Sequence, residues 1–288
     1  MKNLIFLVAI IPIIISCGTD KNVNASFSHV RSLHKSAEGC PSASLYVVGG
    51  APTRTLRFIS STSISAKKRE GGHIINEICS GTFISATQLI TAAHCVENAD
   101  KISVVITKEE KNEYGQNLNH LATAIDVSFH PLYAKSRGSD GADVAIVTLS
   151  QGDDASSQWE KLSAENSSLC SGINWVGYGE TKLGDGSFGI RSVGRNLIIE
   201  KSPSEIVGSD AATIKWISKD GSATLLRSSF GRGDSGSGIF NEKGEIIGVA
   251  ASVFNYSLDD GSESYTLSTA ADLLAPQTRA WILETISE

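Results

Sequence analysis

Proline and methionine are scarce in this chain, at 6 and 1 residues, whereas glycine is common at 27. No internal repeat and no low-complexity tract is visible, which excludes a repeat array and a linker-like chain. A strong charge imbalance is also lacking. The net charge of −6 leaves no electrostatic footprint for binding nucleic acid. The one sustained apolar run, Leu4 to Ile15, is too short to span a bilayer as a mature helix.

That run follows Met1-Lys2-Asn3 and ends at Ser16-Cys17, the pattern of a secretory signal over residues 1–16. Ile14-Ile15-Ser16-Cys17 also looks like a bacterial lipobox, in which Cys17 becomes a lipidated N-terminus. A plain signal peptide with an incidental cysteine is the alternative. No aspartate directly follows Cys17, which points to the outer membrane. The expectation is an exported protein, held at the outer membrane, periplasm or cell surface through Cys17, or secreted. Residues 17–46 are polar and poor in large apolar side chains, and they are read as a flexible tether or pro-segment without a core element.

Three stretches carry chemistry. Ser229-Phe230-Gly231-Arg232-Gly233-Asp234-Ser235-Gly236-Ser237-Gly238 places a serine between glycines with an acid before it. A hydroxyl becomes a nucleophile when a base takes its proton and backbone N–H groups await the oxyanion. Flanking glycines allow the tight turn and close approach this needs. A base is offered by Leu89-Ile90-Thr91-Ala92-Ala93-His94-Cys95. An orienting acid is offered by Asp143 at the head of the apolar run Val144 to Leu149, with Asp140 as its rival. The order His94, Asp143, Ser235 is one of the known chain orders of a nucleophile–base–acid triad.

On these motifs the chain resembles the trypsin/chymotrypsin-like serine peptidases from about Val47 to its C-terminus. The resemblance implies an all-β fold of two six-stranded antiparallel β-barrels with a C-terminal α-helix, over residues 47–288. It implies a serine endopeptidase acting on polypeptide, with His94 as base, Asp143 as orienting acid, Ser235 as nucleophile, and the N–H groups of Gly233 and Ser235 as oxyanion hole. A latent or catalytically inactive binding module is the alternative. Cofactor and metal are expected to be absent, and the chain to be a monomer. The segment Lys108-Glu109-Glu110-Lys111-Asn112-Glu113 lies where some relatives bind calcium, but its spacing and lysines suit a solvated loop.

Leu45-Tyr46-Val47-Val48-Gly49-Gly50 resembles the family's activation sequence. Cleavage would free the Val47 amine to pair with Asp234, a carboxylate that burial would otherwise penalise. Tyr46 stands where the family usually has a basic residue. The position that forms the base of the main specificity pocket in the family is Ser229 here, not an acid, so an apolar or aromatic P1 side chain is expected rather than Arg or Lys. Tyr46 would fit such a pocket, which suggests self-activation. Phe230 is expected to narrow the pocket, with Arg232 and Ser252 beside the substrate, and Ser252 is a candidate to touch Asp143.

Cys79 and Cys95 flank a predicted hairpin and match the family's histidine-loop disulfide, a closure that contributes about 3 kcal/mol at that loop length. With Cys17 lipidated, Cys40 and Cys170 remain and are expected to pair. The segment from Ser60 to Gly72, with Lys67-Lys68-Arg69-Glu70, is read as a polar loop with a solvated hairpin tip. His34, His73 and His120 sit in no motif, and His130 precedes Pro131 as a turn residue. Ser150 to Ser168 is the connection between the two barrels. Helical spacing is read from Ala270 through Ile286.

Overall fold

The computed structural model describes residues 27–40, 51–52, 58, 60–111, 117–136, 141–150, 156, 158–180, 186, 188–203, 209–219, 228–257 and 264–286. The elements run α1 (Phe27–Glu38), β1 (Ala51–Pro52), β2 (Ser61–Glu70), β3 (His73–Phe83), β4 (Gln88–Thr91), α2 (Ala93–Val96), β5 (Ala99–Lys111) and β6 (Asn117–Phe129). Then come α3 (Tyr133–Ser136), β7 (Ala145–Leu149), β8 (Gly172–Gly177), β9 (Ser192–Leu197), β10 (Glu200–Pro203), β11 (Ala212–Lys219) and β12 (Gly238–Phe240). β13 (Ile246–Ser257), β14 (Ser264–Asp272) and α4 (Pro276–Thr285) complete the order.

The first half closes as a six-stranded barrel in the order β2-β3-β4-β7-β6-β5. Its β2 is the segment read as a polar loop from the sequence, and that expectation is corrected here. Ser61 to Glu70 pairs along its whole length with β3, from Ser61↔Thr82 to Glu70↔His73, leaving Gly71-Gly72 as the turn. The strand's residues alternate, so Ile64, Ala66 and Lys68 are buried inside while Ser63, Ser65 and Lys67 on the other face are half-buried. Such side chains give almost no apolar signal. The charge run therefore sits in a strand, and Lys68 is a buried residue.

The second half is an eight-stranded antiparallel sheet in the order β1-β9-β8-β12-β13-β14-β11-β10, closed into no ring among the described residues. The resemblance implied a second six-stranded barrel; the chymotrypsin-like architecture stands with this half more open. The C-terminal helix is shorter than its helical spacing suggested. Residues 270–272 belong to β14, paired with both β11 and β13. Pro276 then starts α4, where its missing N–H is harmless.

The expectation that residues 17–46 hold no core element is also corrected. α1 buries Val30, Leu33, His34 and Ala37, one stripe at helical spacing. It packs on β11, β13 and β14. The His34 ring lies 5.1 Å from that of Tyr265. Cys40, just past the helix, is bonded to Cys170 with sulfurs 2.05 Å apart.

Residues 158–163 stitch the two halves together. Glu160 N–H donates to Phe83 O at 3.0 Å, and Ile246 N–H donates to Lys161 O at 2.8 Å. The apolar core of the first barrel continues through Phe240, Ile246 and Val249 to Ile282 of α4. Both halves are thus held on one buried surface, and the site lies where their loops meet.

Candidate active site

β4 and β7 pair in antiparallel register, with Thr91 opposite Ala145. The residues just past Thr91 and just before Ala145 therefore emerge side by side. His94 follows β4 on α2, and Asp143 precedes β7. Asp143 is fully buried, and its carboxylate takes two hydrogen bonds from one residue. Oδ1 accepts from the His94 backbone N–H at 2.9 Å, and Oδ2 lies 2.6 Å from His94 Nδ1. That double contact sets the ring's orientation and its tautomer, with the proton on Nδ1. Asp140 lies outside the described residues.

The Ser235 loop is pinned against the same region. Ser80 N–H on β3 donates to Ser235 O at 2.8 Å. The Cys95 sulfur lies 3.7 Å from that carbonyl. Gly236 has φ of 85°, and a Cβ there would sit 2.1 Å from Ser80 O and 2.2 Å from Thr91 Oγ1, so only glycine fits. These contacts bring Ser235 next to the strand and turn that carry His94.

Cys79 and Cys95 are bonded, with sulfurs 1.99 Å apart, as the sequence suggested. The cluster Cys79, His94 and Cys95 is therefore not a thiolate set for a metal, because its sulfurs bind each other.

Asp234 points inward. Its carboxylate accepts from Gly231 N–H at 2.8 Å and from Gly179 N–H at 2.9 Å. Burial nevertheless raises its pKa to about 6, against the lowering effect of those two donors. A buried Asp234 also means that Arg232-Gly233-Asp234 is not displayed as an adhesion tripeptide. The prospective partner Val47, its neighbour Tyr46 and the lipidation candidate Cys17 lie outside the described residues.

The residues expected to set specificity divide. Ser229 is half-buried and Arg232 exposed. Phe230 is 6% exposed, with its ring edge-on to Trp175 at 5.1 Å and to Trp216 at 4.7 Å. It is core of the second sheet rather than an open wall. Ser252 follows a register shift between Ala250 and Ser252 and stands opposite Thr269. The candidate contact with Asp143 does not form among the described residues, where His94 supplies both of the acid's hydrogen bonds.

Two residues that the sequence reading passed over belong to the site. Lys68 Nζ donates to His94 O at 2.6 Å and pairs with Glu77 at 2.5 Å. Ser80 contacts the Ser235 loop through both backbone and side chain. Ser80 had a faint signal, a hydroxyl directly after a bridged cysteine in a buried strand; Lys68 had none.

Known proteins resemble this chain as follows. A family model described as Trypsin matches residues 47–272. Chymotrypsin-like elastase family member 1 of Canis lupus familiaris is 29% identical over 116 residues, which is 40% of this chain and 43% of that protein. Its counterpart in Rattus norvegicus is 28% identical over 116 residues, 40% of this chain and 42% of that protein. The chain thus spans less than half the length of these curated relatives. An HL collagenase structure superposes with a TM-score of 0.59 at 20% identity, covering 84% of this chain and 99% of that one. Human heparin binding protein superposes with a TM-score of 0.52 at 17% identity, covering 84% and 97%. These two structures speak for the fold alone. The family match runs from before β1 to the end of β14 and takes in all three motif stretches, so the chain belongs to the trypsin/chymotrypsin-like serine peptidase family.

Proposed function

We propose that this protein is an exported serine endopeptidase working through an acyl-enzyme. The observation that carries this reading is the two-point contact of buried Asp143 with His94 beside the pinned Ser235 loop. With Nδ1 held by Asp143, Nε2 is the nitrogen that takes the Ser235 proton as Oγ attacks the peptide carbonyl. The same proton then goes to the leaving amine, and water, activated by His94, releases the acid. The N–H groups of Gly233 and Ser235 hold the oxyanion. A pocket with Ser229 rather than an acid at its base favours an apolar or aromatic P1 side chain, because a buried cation would lack a partner.

Cleavage after Tyr46 is the activating step in this reading, with the Val47 ammonium pairing Asp234. An acid that burial holds near pKa 6 is a suitable receiver for that charge. The Cys40–Cys170 bridge would keep the N-terminal segment attached after the cut, and a lipid on Cys17 would keep the enzyme at a membrane. The protein acts as a monomer on polypeptide.

The test treats purified protein with a fluorophosphonate probe and reads the N-terminus and the labelled residue by mass spectrometry. Label on Ser235 with a Val47 N-terminus is expected. Asp143→Asn is expected to lower turnover by about 10⁴-fold, because the amide favours the wrong tautomer of His94. A Val47 N-terminus without label would overturn the peptidase reading in favour of a processed binding module.

A further inference from the structure

Three consecutive peptide units lead into Ser235, and all are trans, so each carbonyl fixes the opposite direction of its own N–H. The Arg232 carbonyl is held by Glu180 N–H at 2.8 Å, which aims Gly233 N–H the other way. The Asp234 carbonyl is held by Ser237 N–H at 2.9 Å, which aims Ser235 N–H. Between them the Gly233 carbonyl is held by a side chain, Ser80 Oγ, at 2.9 Å. Ser80 Oγ in turn accepts from Tyr178 N–H at 3.0 Å. Ser80 is fully buried. Gly233 itself has φ of 88° and no side chain to resist rotation.

We propose that the Ser80 hydroxyl is a positioning residue that locks the oxyanion loop by fixing the peptide between Gly233 and Asp234. The proposal rests on the peptidase reading above and concerns how that site is held ready. The hydroxyl works with its own backbone. Ser80 N–H holds the Ser235 carbonyl, and Ser80 O accepts from Thr91 Oγ1 at 2.8 Å, on the strand before His94. One residue of β3 therefore references the nucleophile, the oxyanion donors and the base to a common frame. Preorganised donors matter to the transition state rather than to substrate docking. Removing the hydroxyl leaves the Gly233 carbonyl and the Tyr178 N–H without their buried partner, and the peptide is then held through Asp234 N–H, which donates to Gly231 O at 3.2 Å.

The experiment compares Ser80→Ala with Ser163→Ala, a buried multiply bonded serine at the join of the two halves. Turnover of an apolar-P1 peptide ester and inhibition by a matching peptidyl boronate are measured on the processed protein. S80A is expected to lower kcat about tenfold, with KM within about twofold. Boronate affinity should weaken in parallel with kcat/KM, whereas S163A should change stability and leave kcat alone. If S80A is not recovered folded, S80T and S80G replace it, and the hydroxyl-bearing S80T should retain the kcat that S80G loses. Unchanged kcat in S80A, or equal loss in S163A, overturns the positioning role and leaves the peptidase reading intact. Wild-type protein that neither turns over the ester nor takes a fluorophosphonate label overturns that reading itself, and this one with it.

Discussion

Burial decides what His130 can do. Its Nδ1 accepts from Leu132 N–H at 3.2 Å, so the ring is neutral with its proton on Nε2, which lies 3.3 Å from Thr278 Oγ1. The ring meets Trp281 edge-on at 5.2 Å, so a residue read as a turn histidine also docks α4. Burial lowers its pKa to about 4, against a smaller raising effect from Asp210. The unfolded chain takes up this proton near pH 6.5, but the folded chain resists it until about pH 4. Stability is therefore lost as pH falls through that window, by about 2–3 kcal/mol between pH 7 and pH 4.5. Urea unfolding at the two pH values should show this loss, and His130→Asn should show a smaller one. At this scale His94, Asp143 and Ser235 were legible because each sits in a motif with a local signature. Lys68 was not, because nothing in Lys67-Lys68-Arg69 says which lysine turns inward; that follows from the register of β2 against β3.

α1 illustrates the same limit among elements. Val30, Leu33, His34 and Ala37 do fall on one helical face, but the stripe holds only two large aliphatic side chains. A helix of 12 residues is marginal alone in water. The apolar face of β11, β13 and β14 makes it stable, and that face is assembled from strands that begin at Ala212, far along the chain. Leu33→Ala is expected to cost about 2–3 kcal/mol in the folded chain, measured by denaturant midpoint, because the side chain is only 8% exposed. The bridge makes a second prediction. After cleavage before Val47, the protein should run as one band on a non-reducing gel and as two after reduction, and Cys40→Ser should give two bands in both. The β-branched run Thr213 to Ile217 makes β11 readable as a strand from the sequence. β14 is not readable in this way, since Ala270-Ala271-Asp272-Leu273-Leu274 carries helical spacing and its strand pairing comes from partners on both sides.

At the scale of the whole molecule, the proposed cleavage before Val47 would make the contribution of Asp234 to stability depend on processing. Its folded pKa of about 6 lies above its unfolded value, so the stabilisation of the protonated acid is present below about pH 4 and is lost as pH rises through 6. In the uncleaved chain Asp234→Asn is expected to leave the unfolding midpoint near pH 7.5 little changed, because the relief of a buried charge is offset by an amide nitrogen set against one of the two N–H donors that the carboxylate accepts. In the cleaved chain the same substitution should lower it, because the Val47 ammonium would lose its partner. The difference between the two forms is the measurement. The sequence alone determined the family, the all-β class, the chain order of His94, Asp143 and Ser235, and which cysteines were available to pair. These follow from short motifs and period-two patterns, in which neighbours along the chain carry the information. Tertiary structure alone decided that the polar run after Phe58 is a barrel strand, that the N-terminal segment contributes a core helix, and that Ser80 wires the Ser235 loop to β3. Each of these depends on contacts between residues far apart in the chain, and burial there comes from partners that no local pattern names.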